Sequence, residues 1–265
     1  MTWTKLLPRT IKLTFAINLS LGFVPVLAQV NESIVVVQHQ EFITKYHQIF
    51  AQSSSPPEEQ GAPVGTKPGG SRGCGDKQLV PLVLVDKQPE DRELRWGFTT
   101  KENPTFWVYV PYEAEFITAG KFKLLNRAGD IVYETNLTIT ETSGVLSISI
   151  PSAKIRLENN KWYHWYLYMD VYCTPTSPAQ KNFVDGWIKR QELNAILKTQ
   201  LEQETPQQRA IIQAENGFFY DALMTLAESE NTPQKSEHWA QLLRSHNLEA
   251  ISNVPLVDCC TPEKQ

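Results

Sequence analysis

The 265 residues predict an α+β protein, an antiparallel immunoglobulin-like β-sandwich followed by a small C-terminal helical bundle. Three observations carry that expectation. About seven or eight short apolar runs lie between Leu79 and Ile188, with turn residues between them at the spacing of a sandwich. No helical pattern separates these runs, which argues against a parallel sheet wound through crossover helices. From about Lys189 the apolar residues recur at helical rather than strand spacing.

Taken in order, Lys5, Arg9 and Lys12 precede a largely apolar stretch from Leu13 to Leu27, and Val26-Leu27-Ala28 offers small residues where a signal peptidase reads. Asn18, Ser20, Gly22 and Pro25 interrupt the stretch, leaving it too short and too broken for a stable membrane span. Residues 1–28 therefore read as a signal peptide, and the chain as exported to a periplasmic or extracellular setting. Residues 29–52 form a short N-terminal segment where Phe42, Tyr46 and Ile49 recur at helical spacing. Residues 53–76 are dominated by Ser, Pro, Gly and Glu, and read as a flexible linker. Gly61 to Gly75 lack the flanking strand and helix of a phosphate loop.

The sandwich is expected over 77–189. Leu79 to Val85 is a short apolar run. Lys121 to Asn126 and Ile131 to Thr135 flank Arg127-Ala-Gly-Asp130, a hairpin by turn chemistry. Gly144 to Pro151 alternates with Leu146, Ile148 and Ile150 inward. Two stretches are apolar or aromatic on both faces. In Asn103 to Pro111, Phe106, Val108 and Val110 oppose Thr105, Trp107 and Tyr109; in Lys161 to Asp170, Tyr163, Trp165, Leu167 and Met169 oppose Trp162, His164, Tyr166 and Tyr168. One face of each must be core. The other, carrying Trp107, Tyr109, Trp162, His164, Tyr166 and Tyr168, is either a binding face or is covered by the helices that follow, and covering is the favoured reading.

The helical cap occupies 190–265. Leu193, Ile196, Leu197 and Leu201 mark the apolar side of one helix. Thr205 with Pro206 starts a second, which stops at Asn216-Gly217. Tyr220, Leu223, Met224 and Ala227 mark a third, and Trp239, Leu242 and Leu243 a fourth. Four cysteines, Cys74, Cys173, Cys259 and Cys260, allow three pairings. A bond between the adjacent pair closes a strained ring, so Cys74 and Cys173 are each expected to bind one of the tail cysteines. Their spacing lacks the paired C-x-x-C of a zinc site, and no metal or cofactor is expected.

The formal net charge is −4; removing the leader takes three basic residues and no acidic ones, leaving 22 − 29 = −7. That balance disfavours nucleic acid and anionic headgroups as partners. No second apolar run is long enough to span a membrane. Neither G-x-S-x-G nor H-E-x-x-H occurs, and Glu58-Glu59 and the Glu202/Glu204 pair read as solvated charge. His164, with Asp170 and Asp185, could orient Ser147 or Ser149 as a hydrolase, but a half-buried imidazole held among aromatics is the simpler reading.

Asn103-Pro-Thr-Phe-Trp-Val-Tyr-Val-Pro-Tyr112, Gly144-Val-Leu-Ser-Ile-Ser-Ile-Pro151, Lys161-Trp-Tyr-His-Trp-Tyr166, Val184-Asp-Gly-Trp-Ile-Lys-Arg190 and Pro255-Leu-Val-Asp-Cys-Cys260, in this order, resemble a family catalogued as domain of unknown function number 928. The resemblance implies an exported cyanobacterial protein and carries over no catalytic or binding residue. Ala214-Glu-Asn-Gly-Phe-Phe-Tyr-Asp-Ala-Leu223, with Pro233, is similar to one tetratricopeptide repeat, a unit that needs neighbours to form a solenoid. The expected function is a non-enzymatic module contacting an envelope partner protein or a polysaccharide, with a His164 hydrolase or a tetratricopeptide-like adaptor as the alternatives.

Overall fold

The structure is a computed structural model that describes residues 74–139, 143–229 and 236–258. The expected signal peptide, the segment 29–52, residues 53–73 of the expected linker, Pro233, Cys259 and Cys260 lie outside those residues. Among the described residues the protein is mixed α+β, with ten strands in two sheets and its helices toward the C-terminus.

A four-stranded sheet has the order β1 (Val80–Pro81), β4 (Thr105–Val110), β7 (Gly144–Ser149), β10 (Leu256–Asp258). A six-stranded sheet has the order β2 (Leu84–Gln88), β3 (Arg92–Thr99), β9 (Ala179–Arg190), β8 (Trp162–Tyr172), β5 (Ile117–Asn126), β6 (Ile131–Leu137). Two pairings, β3 with β9 and β7 with β10, are parallel, so the sheets are mixed rather than wholly antiparallel as expected. Hairpin chemistry is local and legible; pairing between strands far apart in the chain is set by packing and leaves no local signal. The apolar run from Leu79 to Val85 likewise splits. Its first half is the edge strand β1, where Pro81 is tolerated, and its second half crosses over to begin β2 in the other sheet.

Alternation places the inner faces as expected. Phe106, Val108, Leu146 and Ile148 of the small sheet meet Phe122, Leu124, Trp165 and Leu167 of the large one in a single core cluster. The Phe106 ring lies 4.9 Å from Phe122 and 5.6 Å from Trp165. Gly186 makes room for this packing, since a Cβ there would meet the Trp165 ring at 2.9 Å.

Four α-helices follow: α1 (Ala195–Gln203), α2 (Pro206–Glu215), α3 (Phe219–Ser229) and α4 (Glu237–Ser245). Asn194 caps α1 by accepting the Leu197 N–H, and Thr205 caps α2 with Pro206 as its first residue. Asn216 ends α2, and Gly217, at φ +82°, turns the chain into α3. The Gly217 carbonyl accepts the Phe98 N–H at 2.7 Å, joining that turn to β3. Buried Asp221 on α3 accepts the Thr99 and Thr100 hydroxyls, each at 2.6 Å, and the Thr100 N–H at 2.9 Å. The helices bury Leu197, Leu201, Phe219, Leu223, Trp239 and Leu243 in a second cluster that also holds Trp96, Phe98, Trp107 and Trp162. Ile196, expected on the apolar side of α1, is instead 72% exposed in the first turn of that helix.

Tyr220 joins the two clusters. Its hydroxyl accepts from Trp165 Nε1 at 2.7 Å and donates to the Trp187 carbonyl at 3.2 Å. The cysteine pairing differs from expectation: Cys74 is bonded to Cys173, with Cα atoms 5.0 Å apart at a sequence separation of 99. The turn at 74–77 is held by the Tyr112 hydroxyl donating to the Lys77 carbonyl, and Cys74 packs against the first core cluster beside the end of β8. Strand packing brings these two chain points together.

Candidate functional site

Directly opposed residues of paired strands share a face, so the registers of β5, β8 and β9 define a grid on the side of the large sheet away from the first core cluster. Across β8 and β9, His164 faces Trp187, Tyr166 faces Asp185 and Tyr168 faces Phe183. Across β5 and β8, Lys123 faces Tyr166 and Lys121 faces Tyr168. His164 and Asp185 are buried, Tyr166 is half-buried, and Tyr168 is exposed.

A polar chain runs through this grid. Arg95 on β3 donates to Asp185 Oδ1 at 3.2 Å, and Asp185 Oδ2 lies 2.7 Å from His164 Nε2. His164 Nδ1 lies 3.1 Å from the Tyr166 hydroxyl. In the tautomer with its proton on Nε2, the imidazole donates to Asp185 Oδ2. Nδ1 then accepts from Tyr166, so the phenol commits its only proton inward and turns its lone pairs to solvent. Burial, helped by the charge of Asp185, pushes the Tyr166 phenol up to about 12, so it keeps that proton through neutral pH. Trp187 stacks on the imidazole at 4.1 Å. Tyr166 leans over His164 at 4.3 Å, and Tyr168 lies nearly parallel to Tyr166 at 5.7 Å, so the two rings overlap like tiles. Lys123 sits 6.0 Å above the Tyr168 ring. Its ammonium is held up, and the Glu134 carboxyl down, by the hydrogen bond between them.

The phenols of Tyr166 and Tyr220 are both raised above the usual value of 10.0, chiefly by burial. Each binds its proton more tightly folded than unfolded, so its contribution to stability is complete below about pH 10 and is lost as pH rises beyond that. Urea midpoints are expected to fall from about pH 10 to about pH 12, and to fall less steeply for Tyr166→Phe.

The six aromatic positions singled out in sequence do not form one surface. Trp107 is buried against α4, its ring 6.0 Å from Trp239, and half-buried Tyr109 packs on the same cluster. Trp162 is buried against Phe98 at 5.9 Å. Helices therefore cover the second face of β4 and the start of β8, whereas Tyr166 and Tyr168 keep solvent access. Ser149 pairs with Thr105 at 2.9 Å and Ser147 faces Trp107, both on the small sheet, while both ring nitrogens of His164 have other partners. The arrangement of His164 with Ser147 or Ser149 is thus not assembled, and Asp170 faces Lys181 rather than the imidazole. Among the described residues no group of three His, Cys, Asp or Glu is placed to hold a metal. The resemblance to a tetratricopeptide unit corresponds to the α2–α3 hairpin, where Ala210, Ala214 and Ala222 are buried.

Sequence reasoning missed Arg95, Phe183 and Trp187. The motif Val184-Asp-Gly-Trp-Ile188 held a usable signal: Asp185 and Trp187 share a face by period two, with Gly186 turned toward Trp165. Arg95 gave none, because its partner lies 90 residues away.

Fold and site together define a two-sheet module with C-terminal helices and one partly open aromatic face. The chain belongs to the family described as Domain of Unknown Function (DUF928), whose profile matches residues 67–256. No curated protein and no solved structure shows significant similarity to it.

Proposed function

We propose that this protein is an exported, non-enzymatic binding module that takes a polysaccharide on the outer face of its six-stranded sheet. The observation that carries this reading is the Arg95–Asp185–His164–Tyr166 chain beneath the tiled tyrosines. With the His164 proton on Nε2 it turns the Tyr166 oxygen to solvent as an acceptor, which suits a ligand rich in hydroxyl donors, while exposed ring surface at Tyr168 suits the apolar face of a sugar. The same chain of hydrogen bonds occupies both nitrogens of His164, which supports a positioning role for it rather than proton transfer. Export is supported by the N-terminal leader pattern and by the Cys74–Cys173 bond, which belongs in an oxidising compartment.

Calorimetric titration of the purified protein against a panel of soluble polysaccharides tests the proposal. Tyr168→Ala is expected to weaken binding about two- to tenfold through lost ring contact. Tyr166→Phe, which keeps the ring and removes the acceptor, is expected to weaken it by a similar factor. Absence of binding by the wild type, or wild-type affinity in both variants at unchanged thermal stability, would overturn it.

A further inference from the structure

A concavity lies away from the tyrosine row, at the end of the large sheet where β5 turns into β6 and β8 begins. It is open and measures 490 Å³, within the usual range of small-molecule sites. Val132, Ile155 and Tyr163 line it, and all three pack in or against the core cluster between the sheets. Tyr163 points to the opposite face of β8 from Tyr166 and Tyr168, so this concavity and the tyrosine row do not share a surface. Arg127, Arg156 and Lys161 also line it, with Glu158 as its one acid. An apolar floor thus meets a cationic rim.

Hydrogen bonds hold both walls in place. On one side the Asn126 side chain accepts the Asp130 N–H at 3.0 Å and donates to the Asp130 carboxylate at 2.9 Å, which fixes the turn carrying Arg127. On the other, Asn103 donates to the Ile155 carbonyl at 2.6 Å, the Leu157 N–H to the Glu102 carbonyl at 2.8 Å, and Arg190 to the Leu157 carbonyl at 3.0 Å. The Glu158 N–H donates to the Tyr163 hydroxyl at 3.1 Å, tying that loop to the floor. Arg156 and Arg190 share the Glu102 carboxylate, at 3.6 and 3.1 Å, and the Arg156 side chain stays 69% exposed. Lys161 meets Glu158 at 2.6 Å, a solvent-accessible pair weak enough for an arriving carboxylate to share. Walls held in this way lose little freedom when a ligand arrives, which favours a small one.

We infer that this concavity binds a small carboxylate with an apolar body, at a site separate from the polysaccharide face and independent of it. The apolar body rests on Val132, Ile155 and Tyr163. The carboxylate meets the Arg127 and Arg156 guanidiniums, whose planar donors match its two oxygens. An alcohol of the same shape lacks the charge, and an inorganic anion leaves the apolar floor uncovered, so the site selects the molecule that carries both parts.

Amide NMR spectra of the purified protein, titrated in turn with hydrocinnamate, hydrocinnamyl alcohol and sulfate, test this. Hydrocinnamate is expected to shift amides of 126–132 and 155–163, saturating at about millimolar concentration or below. The alcohol and sulfate are each expected to bind at least about tenfold more weakly. Arg127→Gln/Arg156→Gln, at two exposed positions, is expected to lose about three- to tenfold toward hydrocinnamate, with alcohol binding and thermal stability unchanged. No saturable shift in those two segments up to about 10 mM hydrocinnamate overturns the inference. Shifts centred on Tyr166 and Tyr168 overturn it too, by placing the carboxylate on the outer sheet face. Equal affinity for acid and alcohol removes the role of the guanidiniums, and equal affinity for sulfate removes that of the apolar floor; either result overturns it. The polysaccharide reading is tested by the tyrosine variants and stands or falls separately.

Discussion

Replacing Trp165 by alanine is expected to cost about 3–5 kcal/mol, measured as a shift in the urea unfolding midpoint at constant slope. Trp165 is fully buried between the two sheets, with its ring against Phe106 and Phe122 and its Nε1 bonded to Tyr220. Removing the indole leaves a cavity between sheets that cannot close, because strand pairing on both sides of β8 fixes their backbones. It also strips the Tyr220 hydroxyl of its donor inside the core. Tyr220→Phe isolates that part: the Trp165 N–H is left buried without an acceptor, at a cost of about 1–3 kcal/mol. A loss under about 1 kcal/mol for Trp165→Ala would mean that the ring is not clamped between the sheets.

This indole is also where sequence pattern and structure agree best. Period-two alternation alone sent Trp165, Tyr163, Leu167 and Met169 to one face of β8 and Phe106, Val108 and Val110 to one face of β4, and all of them are core. Helix starts and stops were equally legible at Thr205-Pro206 and at Asn216-Gly217, where capping is local chemistry. Other features had no local signature. The tail strand β10 joins β7 in parallel from more than a hundred residues away, and the residues before it read as the end of a helical cap. The opposite faces of the two aromatic strands looked equivalent in sequence, since Trp107 and Tyr166 carry the same kind of amphipathic ring.

What separates those faces is where α4 and the turn after α2 land. Trp239 covers Trp107 and Phe218 reaches Phe98 beside Trp162, but none of the helical residues in the second core cluster is in ring contact with Tyr166 or Tyr168. The helices thus cover β4 and the first residues of β8, and the row beyond stays open. Its pairing of Asp185 with His164 rests on the one-to-one register of β8 with β9, which the sequence proposed only as proximity. Arg95 completes the chain from β3, a strand that reaches β9 through a parallel pairing with no hairpin to announce it.

Converting Cys74 and Cys173 together to alanine is expected to lower stability by about 3–5 kcal/mol, because the bond closes a loop of nearly a hundred residues. Most of the effect lies in the unfolded chain: the bond ties the turn before β1 to the end of β8, a restriction the native state already meets through strand pairing. Urea unfolding of the wild type with and without reductant should reproduce the loss, while the double variant should be indifferent to reductant. Peptide mapping under non-reducing conditions separates this pairing from the one the sequence favoured. A linked fragment containing Cys74 and Cys173 is expected, and fragments joining either of them to the 255–265 tail would contradict it. The two connectivities also differ in what they restrain. A bond from Cys74 or Cys173 to the tail would fasten the residues that follow β10, whereas the bond between Cys74 and Cys173 leaves β10 held by its backbone pairing with β7 and the Val145 N–H to Pro255 contact at 2.8 Å. Reduction should therefore loosen the 74–77 turn and the end of β8 first, and hydrogen exchange in β8 near Tyr172 should rise before exchange in β7 does.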